Sequence, residues 1–308
     1  MPLPPSEALL PQIPADPWLR IDAGDVFLKG MAFDRMDQLI LMAAYPGAVK
    51  GMAGRTERSI LRVAPGKKIT TVIAQHGVRM GGLAIHKDGR IFIACLTGEL
   101  LVMNPDGSDL RPITARWKGK PERLSDVAFD SAGNLYAADF TGHTGNPTGG
   151  IYRWSPDCRS VEPFIANLTT PNGMAFTVDE KSLWVGCSLA NEIFHLTLQE
   201  HCQSVQKAAV WYRLTGHDGA DGIAVDLQGN MYLAVNDHGR VLIFNKQGIP
   251  IAGVLMPGRE RGELLRTTNV VFKPGTDEVY VAASGETGGA WIYKFRGLAE
   301  GAPLFSHQ

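Results

Sequence analysis

The sequence predicts an all-β fold, a six-bladed β-propeller with a site in its central channel. Three observations carry this expectation: one motif recurs six times, each copy reads as a β-hairpin, and the interval between copies suits one four-stranded blade.

The copies are KGMAFDRMDQLILM, GGLAIHKDGRIFIA, SDVAFDSAGNLYAA, NGMAFTVDEKSLWVG, DGIAVDLQGNMYLA and TNVVFKPGTDEVYVA. Each runs small or polar residue, Gly-like residue, apolar, Ala-like, apolar, a turn, and then an apolar or aromatic strand. The Ala-like positions are Ala32, Ala84, Ala128, Ala175, Ala224 and Val271, separated by 52, 44, 47, 49 and 47 residues, against roughly 40–50 for a propeller blade. Turns such as Asp130-Ser131-Ala132-Gly133-Asn134 and Asp226-Leu227-Gln228-Gly229-Asn230 join the two strands of a copy. They lack the ligand spacing and terminal Glu of an EF-hand and read as plain hairpin turns. Further short strands follow each hairpin, for example GGIYRWSPD at 149–157 and GRVLIFNKQG at 239–248, which completes four strands per unit.

Ahead of the first copy, prolines stand at 2, 4, 5, 11, 14 and 17. Residues 1–20 therefore read as a proline-rich arm that crosses the propeller or closes its last blade, and residues 21–308 as one propeller domain.

Composition agrees with such a fold and narrows the partners. Thirty-five glycines and 19 prolines among 308 residues demand frequent turns, and long apolar stretches of helical period are missing. With 44% hydrophobic and 20% charged residues the chain can bury a large core. A formal charge of −1 supplies no global field for a polyanion, so nucleic acid is not expected as a partner. No apolar run approaches 18 residues and the first residues lack a basic start, so neither membrane nor export is expected and the reading is cytoplasmic. Cys95, Cys158, Cys187 and Cys202 form no C-x-x-C pair and read as thiols of a reducing compartment. The sequence is silent on oligomeric state.

In a propeller the innermost strands line the channel, so one repeat position recurs around the axis at one depth. The position three before the Ala-like residue holds Lys29, Gly81, Ser125, Asn172, Asp221 and Thr268. Different polar types in one register point to a site with one cation and one carboxylate, rather than to a repeated turn residue.

At these residues the sequence resembles the senescence-marker protein, gluconolactonase and luciferin-regenerating-enzyme-like family, and within it the drug-responsive lactonase branch. The resemblance runs over most of the chain and is densest from about Leu124 to Phe272, through SDVAFDSAGNLYAADFTGHTGNPTGGIYRWSPD, PNGMAFTVDEKSLWV, LTGHDGADGIAVD, GRVLIFNKQGIPIAGVLMPGR and LLRTTNVVFKPGT. It implies a six-bladed propeller that hydrolyses lactones and esters, with calcium or another divalent ion in the channel. The implied ligands are a first-repeat Glu, a middle-repeat Asn and the following Asp, often with an acidic residue or Asn near the third repeat.

Carried over, the Asn falls on Asn172 and the Asp on Asp221. The Glu position is Lys29, and the third-repeat position is Ser125 with Asp126 beside it. A hard divalent cation needs several anionic or carbonyl oxygens, and an ammonium nearby repels it. The cofactor is therefore either none or a divalent cation held weakly by Asn172 and Asp221. The residues suggest that the Lys29 ammonium stands where the metal would, pairing with Asp221 and donating to Asn172 and Ser125.

Lys29 can then be a counter-ion or oxyanion stabiliser, a working amine, or a solvent-facing residue. On the loops, His143 in TGHTGNPTGG and His217 in TGHDGAD could shuttle a proton. Asp139 could orient His143 or cap a strand end. Arg79, Arg266 and Trp117 could line the mouth.

The leading expectation is a small-molecule hydrolase that opens a lactone or related cyclic ester or amide. Asp221, Lys29, His217 and His143 are its catalytic candidates, and Asn172, Ser125, Asp126 and Thr268 its substrate-binding ones. Two alternatives stay open: a metal-independent lyase, isomerase or cyclase that uses Lys29 as acid, base or Schiff-base amine, and a propeller that binds without chemistry.

Overall fold

A computed structural model describes residues 3–45, 57–76, 78–199, 204–216 and 219–308. Six sheets of four strands, one of them extended by a fifth, form the blades of a propeller. The innermost strands are Phe27–Phe33, Met80–Ile85, Leu124–Phe129, Pro171–Phe176, Ala220–Val225 and Arg266–Phe272, so each sequence copy begins one blade. Each inner strand pairs antiparallel with the next strand of its own copy.

Burial explains the motif. Alternate apolar residues on the two faces of each sheet meet the neighbouring blades, and the described residues form six apolar clusters, one per blade interface. Blade one meets blade two through Met42, Ile60, Leu83 and Ile93, and blade six meets blade one through Leu28, Leu41, Tyr280 and Ile292. Wedges of this kind bury both faces only when the ring closes. Closure is made by the N-terminal strand Asp16–Asp22, which adds to the edge strand Gly289–Arg296 of the last blade. Residues 3–20 supply a one-turn helix at Pro5–Ala8, the short strand Gln12–Ile13 on the fifth blade and the first part of the closing strand. The prolines permit that helical turn because Pro5 sits at its start, where a missing N–H costs nothing.

The hairpin turns are structural. Asp130 accepts from Asn134 N and Nδ2 at 2.8 and 2.7 Å and from the Tyr136 hydroxyl at 3.1 Å. Asp226 makes the same set with Asn230 and Tyr232. These carboxylates are saturated by their own hairpins.

A regular irregularity builds the axis. In every blade the ladder between the first two strands breaks register at the start of the motif: after Lys29, Met80, Leu124, Pro171, Ala220 and Thr267. One extra residue on the inner strand is a β-bulge, which bends the strand and re-aims its side chains. Both the first and second motif residues therefore lie on the axis, and at the second the next blade comes close. A Cβ on Gly173 would stand 2.1 Å from Asp221 O, and one on Gly82 2.1 Å from Asp126 Oδ1.

Gly173→Ala should lower stability by about 1–3 kcal/mol through overpacking, read as a fall in the urea midpoint. Gly66→Ala, with nothing within 4 Å of the added Cβ, should stay within about 0.5 kcal/mol. An equal effect at both sites would contradict the close approach of blades four and five.

Candidate active site

Three of the six ring residues meet at the axis. Lys29 Nζ donates to Asn172 Oδ1 at 2.8 Å and to Asp221 Oδ1 at 3.0 Å, bridging strands 143 and 192 residues away in sequence. All three are buried, with Lys29 9% and the other two 4% exposed. Asn172 Nδ2 donates onward to Ser188 Oγ at 3.0 Å, and Ser188 Oγ donates to Ala220 O at 2.5 Å. Both polar ends of Asn172 are thus engaged, which fixes its carbonyl oxygen toward the ammonium. Ser188 lies on the second strand side of blade four, outside the repeat position used to find the ring, so the repeat could not reveal it.

The other ring members hold the scaffold. Ser125 Oγ donates to Pro171 O at 3.0 Å, and Thr268 Oγ1 to Leu28 O at 2.5 Å, each tying its blade to the next. The bond anticipated from Lys29 to Ser125 is therefore not made: the bulge turns the hydroxyl onto the neighbouring backbone. Gly81 offers no side chain, and a Cβ there would stand 2.7 Å from Ser125 O.

Asp126 occupies the second layer, 9% exposed. Burial pushes its carboxyl up to about 7, against the pull of Lys29 and the Val127 N–H, with the Asp221 charge adding to the rise. Burial likewise raises the Asp221 carboxyl above its ordinary value, although the Lys29 charge and hydrogen bond, the Gly222 N–H and Asn172 oppose it. The other second-layer side chain is Asn269, whose Oδ1 accepts from Met31 N at 3.2 Å. Four of the six residues in that layer are glycines, so the repeat pattern carries no polar signal at this position.

Among the described residues, no hydrogen bond or ion pair joins the loop candidate His143 to this cluster. Strand Leu135–Asp139 ends opposite Leu124, so loop 140–148 emerges at the end of the channel that holds the ring. His143 is exposed on it, its Nδ1 accepting from Gly145 N. Asp139 Oδ1 accepts from the N–H groups of Glu122 and Arg123 at 3.2 and 2.9 Å, which makes it a backbone cap. His217 lies outside the described residues. Arg266 is paired with Asp25 at 2.5 Å, Arg79 is exposed, and Trp117 carries Lys118 over its ring at 5.0 Å.

This donor set does not fit a divalent cation. The Asn172 and Asp221 oxygens already receive an ammonium, and no group of three or more His, Cys, Asp or Glu among the described residues could hold a metal ion. What the arrangement can do is present a positive charge beside a buried carboxylate of raised basicity on the propeller axis.

Residues 56–285 match the family described as the SMP-30/Gluconolactonase/LRE-like region. The chain is 37% identical to the lactonase drp35 of Staphylococcus saprophyticus over 97% of its own length and 92% of that protein. Among solved structures it is similar to a luciferin-regenerating enzyme, at TM-score 0.70 and 19% identity over 94% of this chain and 98% of that one. It is also similar to regucalcin of Agrobacterium tumefaciens, described as a calcium-binding protein, at TM-score 0.71 and 20% identity over 96% and 99%. These two show a shared propeller fold. No helix of the described residues is long and apolar enough to cross a membrane.

Lys29→Met strands the Asp221 carboxylate in the channel and should cost about 3–5 kcal/mol. Lys29→Met with Asp221→Asn should recover much of that loss in the same denaturant titration, and strict additivity would deny the coupling. A carboxyl whose pKa is raised on folding makes the folded chain bind the proton more tightly, so its contribution to stability falls as pH rises from about 4 to 7. Asp126→Asn should accordingly flatten the decline of Tm across that window, and a parallel decline in wild type and variant would count against the buried acid.

Proposed function

The chain belongs to the SMP-30/Gluconolactonase/LRE-like family, and on that premise we propose that it is a hydrolase that opens a lactone or related cyclic ester or amide without a resident divalent metal. The observation that carries this reading is the buried ammonium of Lys29 held between Asn172 and Asp221 on the propeller axis. The extent of the similarity to a lactonase supports the substrate class.

In the proposed step the lactone carbonyl oxygen lies against the Lys29 ammonium. Asp221 takes a proton from an attacking water as the oxygen of that water bonds to the carbonyl carbon. Charge grows on the carbonyl oxygen, where the ammonium stabilises it, while the Asn172 carbonyl holds that ammonium in place. Collapse of the tetrahedral intermediate breaks the ring C–O bond, and the proton held by Asp221 goes to the departing alkoxide, giving the hydroxy acid. Burial suits Asp221 to the task by making it a stronger base than an ordinary carboxylate. The ammonium is pre-oriented by its two acceptors, so little reorganisation accompanies the reaction.

A pH-stat assay over aliphatic and aromatic lactones, on metal-stripped protein with and without calcium, tests the proposal. Turnover should persist without metal and rise with pH through a limb above the ordinary carboxylate range, a limb that Asp221→Asn removes. Lys29→Met should lower kcat by about 100- to 1,000-fold, the cost of losing one oxyanion donor. Lys29→Glu should instead create calcium affinity measurable by titration calorimetry. Activity that vanishes on chelation and returns with calcium in the wild-type protein would overturn the metal-free reading.

A further inference from the structure

The end of the channel remote from the Lys29 cluster holds a separate chamber of about 270 Å³. Its inner wall is the third motif residue of all six repeats, Met31, Leu83, Val127, Met174, Ile223 and Val270. Toward the mouth stand Phe129, Phe176, Phe272 and Phe305. The C-terminal stretch completes the wall: Ala302 N donates to Val225 O at 2.9 Å, and Arg35 Nε donates to Ser306 O at 2.7 Å. Phe305 stands against His86 and Phe129, with ring centroids 4.9 and 5.3 Å apart. At the rim Val178, Leu227 and Leu304 are 47%, 46% and 49% exposed.

Charge distinguishes this chamber from a gap in packing. Among the described residues its lining holds two ionisable side chains, Asp126 and Glu180, and no Lys, Arg or His. Glu180 sits toward the rim and accepts from Ser131 N and Oγ at 2.7 and 2.6 Å. Asp126 is at the inner end, 9% exposed. The cation that acts on it, Lys29, already donates to Asn172 and Asp221. A carboxylate at the closed end of an apolar, aromatic-walled space is costly to keep ionised unless a cation joins it. Phenylalanine faces add to the attraction for such a cation, and the apolar walls favour a hydrocarbon body.

We propose that this chamber is a second binding site, for a small aryl- or alkylamine whose ammonium meets Asp126 and whose apolar body lies among the phenylalanines. The lining excludes Lys29, Asn172 and Asp221, so the amine would occupy space apart from the proposed hydrolytic step, although Asp126 lies within the field of Lys29 and Asp221.

Titration calorimetry of the full chain with 2-phenylethylamine, 2-phenylethanol and 3-phenylpropionate tests it. The amine should bind saturably and at least tenfold tighter than the alcohol, and the carboxylate should not saturate. Crystals soaked with 2-(4-bromophenyl)ethylamine should place the bromine anomalous peak among Phe129, Phe176 and Phe305. Asp126→Asn should reduce amine affinity to that of the alcohol, and Ala175→Phe, which fills the lining, should remove binding of both. The wild-type comparison stands whether or not either variant folds. Equal affinity for amine and alcohol, no saturable amine binding, or a bromine peak beside Lys29 would overturn the proposal.

Discussion

Ring closure is the constraint on which everything else in this protein rests. Each blade is a wedge with two apolar faces, and no blade can bury both unless its neighbours are in place. The strand Asp16–Asp22, paired with Gly289–Arg296, supplies the last contact and so holds six interfaces at once. The axial cluster inherits this dependence. Lys29, Asn172 and Asp221 come from blades one, four and five, and only a closed ring brings them within hydrogen-bonding distance. The buried ion pair is therefore a product of the fold's closure more than a cause of its stability, in keeping with the modest net value of buried pairs.

The repeat made much of this legible in the sequence. Its hairpins, its turns and its axial register all follow from period-two alternation around a fixed motif, and the six inner strands begin where the six copies begin. The axial ion pair could be anticipated because one position of the motif carried opposite charges in different copies. What could not be read is the bulge. A one-residue register break leaves no compositional mark beyond a glycine, yet it decides which hydroxyl faces the axis and which faces a neighbouring carbonyl. Ser125 Oγ meets the Pro171 carbonyl instead of the Lys29 ammonium for that reason, and Asn269 stands at a position that is glycine in most copies. Ser188 belongs to no repeated position at all. Loop residues such as His143 lie where no periodicity constrains them, and their distance from the axis depends on loop paths that sequence alone does not encode.

The channel is divided by chemistry as well as by depth. At one end polar side chains from the first motif layer surround a fixed ammonium. At the other, the third layer is wholly apolar and the C-terminal stretch supplies an aromatic wall. Asp126 and Asn269 stand between the two, the only second-layer positions with side chains beyond hydrogen. The electrostatics of Asp126 are set by Lys29 and Asp221 on one side and by hydrocarbon on the other. A change at either end of the channel is therefore felt at this carboxyl.

The repeated bulge has an evolutionary consequence. An ordinary strand couples every side chain to the ladder, so moving one residue onto the axis flips its neighbours to the wrong face. Here the extra residue absorbs that shift in each blade, and the axial positions can exchange residue types while the strands behind them keep their pairing. A carboxylate can give way to an ammonium by a single codon change, with no insertion and no repacking of a blade interface. The architecture thus behaves as a socket with interchangeable contacts, and a lineage can alter the charge at its centre while the surrounding wheel stays as it was.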